Sequence, residues 1–362
     1  MPADRRTERQ GALRAALAAE GLDALLVSHL PNIRYLTGFT GSAGLLLVHA
    51  QTTVLVTDFR YAVQAPAEAG DAAAVEVDQS SVWDRLARVL AGLPPGTIGI
   101  EAHALTVKDA ERVTGLTRSR IVPAADHVER LRAVKSPEEV VAIRAAAALA
   151  QEALAEVLPT IRVGRTEREI AASLESALRR RGSEWHPFPT IVASGPRSAL
   201  PHARTSGRAV QPGEWLLLDF GAQVDGYCAD LTRTVVVGAR ADGRQVAMYD
   251  LVRCAQGRAL EHLQPGMTGR EGDALAREVI AARGFGEAFG HSLGHGLGLE
   301  VHEAPRLAPT SDAPVPHHAV VTVEPGVYFP GWGGVRIEDD LHLGDDGPEL
   351  LSNGRTELVE LV

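Results

Sequence analysis

The feature that most constrains this chain is an apolar run that ends on an acid, repeated through its second half. Trp215-Leu216-Leu217-Leu218 runs into Asp219, Val320-Val321-Thr322-Val323 into Glu324, and Val335-Arg336-Ile337 into Glu338. Short apolar runs bounded by turn residues read as buried strands, and a carboxylate at the end of such a strand needs a partner. After Asp219 a turn at Asp225-Gly226 and a returning strand through Asp230 make a hairpin that brings the two Asp side chains together. Carboxylates facing each other across a strand pair repel unless a cation lies between them. In the alternative reading, Asp219 simply ends its strand and Asp230 pairs with Arg233 at the surface.

The segment from Gly290 to Glu303 adds His291, His295 and His302, three imidazoles within twelve positions, interleaved with glycines that let backbone and ligand come close. Neutral imidazole suits divalent transition metals. Strand period places Arg336, Glu338 and Asp340 on one face, where Glu338 could also form an ordinary ion pair with Arg336. Four carboxylates and one His, mostly at strand ends, favour Mn²⁺, Co²⁺ or Zn²⁺ over a thiolate zinc site. A single dication leaves excess repulsion among four negative charges. Two ions about 3.5–4 Å apart, bridged by carboxylates, balance it and hold a hydroxide between them.

These residues occupy only part of the chain. With 362 residues, two domains are expected. The first ~125 alternate strand and helix signals: a helix over 8–20, buried strands at Ala24–Val27, Gly44–Val48, Val54–Val56 and Ile98–Ile100, and helical patches near 60–69 and 83–92. After Val122-Pro123 the texture changes, and Ser136-Pro137-Glu138-Glu139 reads as an N-cap, a proline at the first helical position and a capping Glu. The boundary is therefore placed at 128, giving an α/β domain over 1–128 and an α+β domain over 129–362, with helices expected at 166–181, 244–263 and 269–283. A net charge of −10 without blocks argues against nucleic acid or an anionic membrane as the main partner. Without a signal-peptide core or a long apolar run, the expected location is cytoplasmic, where Cys228 and Cys254 are reduced thiols.

Taken in order, Asp-x10-Asp, Gly-His-x3-His-Gly, Val-His-Glu, Thr-Val-Glu-Pro-Gly and Val-Arg-Ile-Glu-Asp-Asp make the chain resemble the pita-bread metallopeptidases, the family of Xaa-Pro aminopeptidase (aminopeptidase P) and prolidase. The resemblance is strong over 130–362. It extends to 23–60, where Ser28-His29-Leu30-Pro31-Asn32-Ile33-Arg34-Tyr35-Leu36-Thr37-Gly38-Phe39 is similar to the family's N-terminal domain. It implies an α+β pita-bread catalytic domain behind a smaller α/β domain, with two divalent metal ions, manganese first. Asp219 and Asp230 would hold one ion, His295 and Glu324 the other, with Asp230 and Glu338 bridging. It further implies that Glu324 relays the proton, that His202, His291 and His302 are active-site histidines, that Arg306 contacts a substrate carboxylate, and that Arg336 stands beside the last ligand. Phe188-Pro189-Thr190 departs from the Phe-Asp-Thr of many dipeptidase-like members, so Phe188 marks a pocket wall that differs from theirs.

The expected activity is hydrolysis of the Xaa-Pro bond in short proline-containing peptides by an Xaa-Pro aminopeptidase, with prolidase, the Xaa-Pro dipeptidase, as the alternative. Family analogy implies a homodimer. A metal-free binding module on the same fold is the reading from another class. It predicts broken ligands and charged tails, and the sequence has neither. Creatine-type hydrolysis dispenses with the metal set, and methionine aminopeptidase resembles the second domain only.

Overall fold

The computed structural model describes residues 5–352 and 356–362. It divides into two units, Met1–Arg132 and Ala133–Val362, a few residues beyond the boundary expected at 128. The first unit is built around a six-stranded sheet in the order Ala74–Asp78, Thr53–Asp58, Leu45–His49, Ala24–Val27, Thr97–Glu101, Arg120–Ala124. Every residue of Ala24–Val27 is buried. That central strand runs antiparallel to Leu45–His49 and parallel to Thr97–Glu101. Buried on both faces, it reads in sequence as a continuous apolar run rather than an alternating one. The edge strands Ala74–Asp78 and Arg120–Ala124 escaped the sequence reading because their burial is only partial.

In the second unit, Ser136 forms the expected capping box. Its hydroxyl accepts from Glu139 N, the Glu139 carboxylate accepts from Ser136 N at 2.9 Å, and the helix Pro137–Val157 follows. Three further helices, Glu167–Arg180, Gly243–His262 and Gly269–Ala282, lie where periodicity put them, and each also starts with a capping box. Behind them stand a four-stranded sheet, Val359–Leu361, Tyr227–Val237, Glu214–Val224, Ile191–Ser194, and a five-stranded sheet, Glu303–Leu307, Gly294–Gly296, Val320–Val323, Asp339–Gly344, Gly347–Leu350. One pair of helices packs through Ala146, Ala150, Ile170 and Leu174 on Leu216, Leu218 and Phe220. The other packs through Val252, Ala255 and Ile280 on Val321, Val323 and Leu341. A bridge between Thr232 and Glu338 links the strand Tyr227–Val237 of the first sheet to the residue just before Asp339–Gly344 of the second. Among the described residues no helix is long and apolar enough to cross a membrane.

Candidate metal centre

The hairpin Glu214–Val224/Tyr227–Val237 sets the geometry. Its turn residues Asp225 and Gly226 both have positive φ, 51° and 80°, as a two-residue turn matched to strand twist requires. The resulting register pairs Asp219 with Thr232 and Asp230 with Gly221. The two carboxylates are thus diagonal neighbours on one face rather than directly opposed, a correction to the sequence reading that the turn length imposes. Arg233, one residue from Thr232, points to the other face and pairs at 2.6 Å with the buried Asp339, which removes the surface Asp230–Arg233 alternative. Glu338 enters beside Thr232, whose hydroxyl donates to its Oε2 at 2.6 Å.

His295 comes from the short strand Gly294–Gly296. A Cβ at Gly294 would lie 1.9 Å from the Thr322 carbonyl oxygen, and one at Gly296 2.0 Å from that of Ala304. These glycines therefore serve the close packing of three backbones and not, as the sequence suggested, the approach of a ligand. The His295 Nδ1–H donates to the Gly296 carbonyl at 3.1 Å, which leaves Nε2 with its lone pair aimed 3.4 Å from Glu324 Oε1 and 3.8 Å from Asp230 Oδ2. Burial above all lowers the His295 pKa to about 4, so the ring is neutral near pH 7.

Asp219, Asp230, His295, Glu324 and Glu338 line a single cavity of about 610 Å³, together with His202, His302, Phe188 and Arg336. Ligand atoms of Asp230, His295 and Glu338 all lie within 4.8 Å of one another. Burial is the largest cause that raises the Asp230 carboxyl well above its usual range, with the repulsion of Glu338, Asp219 and Glu324 added to it. Burial likewise raises Glu338 and Asp219 and pushes Glu324 up to about 8. Asp230 Oδ1 is buried without a hydrogen-bond partner. A hard, oxygen-rich set with one neutral imidazole and an orphaned buried carboxylate oxygen fits divalent cations, because a cation supplies what each of these groups lacks. A second group, His103, Asp126 and Glu129 in the first unit, is largely exposed, and ordinary contacts such as His103–Glu129 at 3.1 Å account for it.

The surrounding residues divide into those that face the cavity and those that hold it. Arg336 lines the cavity beside Glu338, but its ion pair is with Asp219 rather than Glu338, and it also donates to Tyr328 Oη (2.8 Å) and Thr232 Oγ1 (3.1 Å). Tyr328 Oη lies 2.8 Å from His291 Nε2, and His291 Nδ1 donates to the Ser292 carbonyl at 2.8 Å. His291 is not among the residues lining the cavity; its Nδ1 lies 4.0 Å from Glu324 Oε2, and through Tyr328 and Arg336 it is linked to Asp219. His302 is exposed, its ring 4.3 Å from that of His295 and edge-on to it. Arg306 is exposed and sits directly across the ladder from His295. His202 rides on a loop pinned at both ends by the buried Glu167, which accepts from Ser194 N and from Ser206 N, each at 2.9 Å. Sequence reasoning missed Tyr328 and Thr232. No local signal marks a hydroxyl whose partners come from other segments, 37 residues away for Tyr328 and His291 and 106 for Thr232 and Glu338.

A model of metallopeptidase family M24 matches residues 141–345, and one of the creatinase/prolidase N-terminal domain matches residues 9–134. The chain belongs to metallopeptidase family M24. It is a metallo-exopeptidase with the α+β pita-bread fold of that family. A Pyrococcus horikoshii protein named Xaa-Pro dipeptidase is 36% identical over 93% of this M24 chain and 95% of its own length. Among solved structures, one described as Xaa-Pro dipeptidase from Bacillus anthracis superposes with a TM-score of 0.94 at 38% identity, covering 98% of this chain and all of that one. Another, described as X-Pro aminopeptidase from Thermotoga maritima, gives 0.89 at 38% identity, covering 97% and 99%.

Proposed function

We propose that this M24 peptidase is an Xaa-Pro dipeptidase, in preference to the Xaa-Pro aminopeptidase that the sequence reading favoured. The observation that carries this is Arg306. Directly opposite residues on an antiparallel pair share a face, and the Arg306 charge acts on both His295 and His302, so the free carboxylate of a dipeptide's proline would meet it at the edge of the cavity. The name of the Pyrococcus horikoshii relative and the description of the Bacillus anthracis structure support the same choice. The gathered carboxylates speak against a metal-free binding module.

In this reading Asp219, Asp230, His295, Glu324 and Glu338 would hold two divalent ions, Mn²⁺ by preference. When bound, such ions neutralise the carboxylates and make water a nucleophile near neutral pH. Glu324, at the cavity wall, takes the proton of the attacking water and delivers it to the proline nitrogen, which cannot leave as an anion. Although His302 is exposed, partial desolvation by its neighbours lowers its pKa, so its neutral ring offers an N–H to the oxyanion that develops on the scissile carbonyl. His202 orients the substrate from the opposite wall, and Phe188 packs against the residue before proline. His291 fixes Tyr328 and so Arg336. The proposed working form is a cytoplasmic homodimer, checked by light scattering and cell fractionation.

The test is a comparison of an Xaa-Pro dipeptide, the same dipeptide as its C-terminal amide, and an Xaa-Pro-Xaa tripeptide under added Mn²⁺. A dipeptidase should hydrolyse the free dipeptide roughly tenfold or more faster in kcat/KM than the other two, and Arg306→Ala should erase that margin. Equal or better cleavage of the tripeptide returns the assignment to an Xaa-Pro aminopeptidase.

A further inference from the structure

The segment Leu297–His302 joins the strand bearing His295 to the strand Glu303–Leu307, and it carries His302 at its end. Its backbone is tied at its start, where Leu297 N donates to Val320 O at 3.0 Å and Cys228 N donates to Gly298 O at 2.8 Å. Its far end is held by a side chain: Glu303 Oε1 accepts from Glu300 N at 3.0 Å, and Glu303 Oε2 accepts from Lys135 Nζ at 3.1 Å. The Lys135 and Glu303 side chains are 1% and 5% exposed. Lys135 is itself fixed from both sides, by its own N–H donating to His318 O at 3.0 Å and by the capping box that begins at Ser136.

A buried ion pair seldom stabilises a protein more than well-packed apolar residues would. Its best use is to specify one geometry, and here the geometry specified is that of the residue next to His302. We propose that Lys135 is a positioning residue for catalysis: through Glu303 it clamps the 300–303 turn and so fixes the direction of the His302 ring. The inference rests on the role given to His302 above. No covalent step is involved, and Lys135 need not touch substrate.

The test measures kcat, KM and bound metal for Lys135→Met, Lys135→Arg and His302→Ala, and for Lys135→Met combined with His302→Ala, all as the metal-replete full chain. A misplaced catalytic group can cost roughly 10²-fold. Lys135→Met should therefore lose on the order of 10- to 100-fold in kcat, with KM and metal content near wild type, and Lys135→Arg should recover most of the loss. In the His302→Ala background Lys135→Met should have no further effect, because there is no ring left to misplace; a general structural lesion would multiply the two losses. Where Lys135→Met alone strands the Glu303 charge and fails to fold, Lys135→Met with Glu303→Gln removes both charges and is expected to show the same kcat loss. Wild-type kcat in Lys135→Met or in that double variant overturns the inference, as do multiplicative losses with His302→Ala. If His302→Ala itself keeps full activity, the assignment of His302 falls first and this inference with it.

Discussion

Replacing Asp230 by Asn should push stability and function in opposite directions. Asp230 is buried, its Oδ1 has no hydrogen-bond partner, and Glu338, Asp219 and Glu324 all repel its charge. A buried unsatisfied polar atom costs about 1–3 kcal/mol, and more when charged. Asn still leaves a polar atom there but removes the charge, so the metal-free variant should be more stable than the metal-free wild type by the charge's share of that cost, about 1 kcal/mol or more. The sign depends on pH in a defined way. Because the folded-state pKa of Asp230 is raised above its ordinary 3.8, its carboxyl is neutral in both states below that value and Asn brings little gain. As pH rises the unfolded chain ionises first, the wild type loses stability, and the margin grows. With Mn²⁺ the order reverses. Ligand at ~1,000 times its Kd adds about 4 kcal/mol to the wild type, whereas a variant lacking the Asp230 carboxylate should gain little. The assay is urea unfolding at pH 7.5 with chelator and with Mn²⁺, alongside metal analysis and hydrolysis of an Xaa-Pro dipeptide. A metal-free Asp230→Asn protein less stable than metal-free wild type would refute the electrostatic account. One that binds two metals per chain and hydrolyses normally would refute the ligand assignment.

Three further outcomes follow from the same geometry. Gly221 sits opposite Asp230, and a Cβ there would meet the Ala229 carbonyl oxygen at 2.2 Å. Gly221→Ala should cost about 1–3 kcal/mol by overpacking and lower metal content with it, as read by thermal melts and metal analysis; a normal melt and full loading would show that the hairpin yields there. Tyr328→Phe cuts the chain from His291 to Arg336 without touching the cavity wall, so metal content should hold while kcat drops severalfold. Unchanged kcat would reduce that chain to packing. Glu324 is pushed up to about 8 in the metal-free protein, so the metal-free form should lose stability as pH rises from ~4.5 through about 8. Saturating Mn²⁺ should flatten that slope, and a metal-free protein whose melting temperature rises over the same interval contradicts it.

The sequence alone determined which apolar strands end in carboxylates and which segment gathers the imidazoles. Local chemistry writes those signals: the apolar runs into Asp219 and Glu324, the Asp225-Gly226 turn, and the Ser136 capping box each depend on residues a few positions apart. The relative placement of those segments came only with the tertiary structure. Strand periodicity put Arg336 and Glu338 on one face, yet their partners, Asp219 and Thr232, lie over a hundred residues back along the chain, and no local pattern specifies which acid a buried guanidinium will meet. The glycines around His295 were legible as small but not as packing residues, because the Thr322 and Ala304 carbonyls that forbid a Cβ arrive from other strands. Tyr328, Thr232 and the Lys135–Glu303 pair were invisible for the same reason: a hydroxyl or an ammonium acquires its function from groups that only folding brings within hydrogen-bond distance.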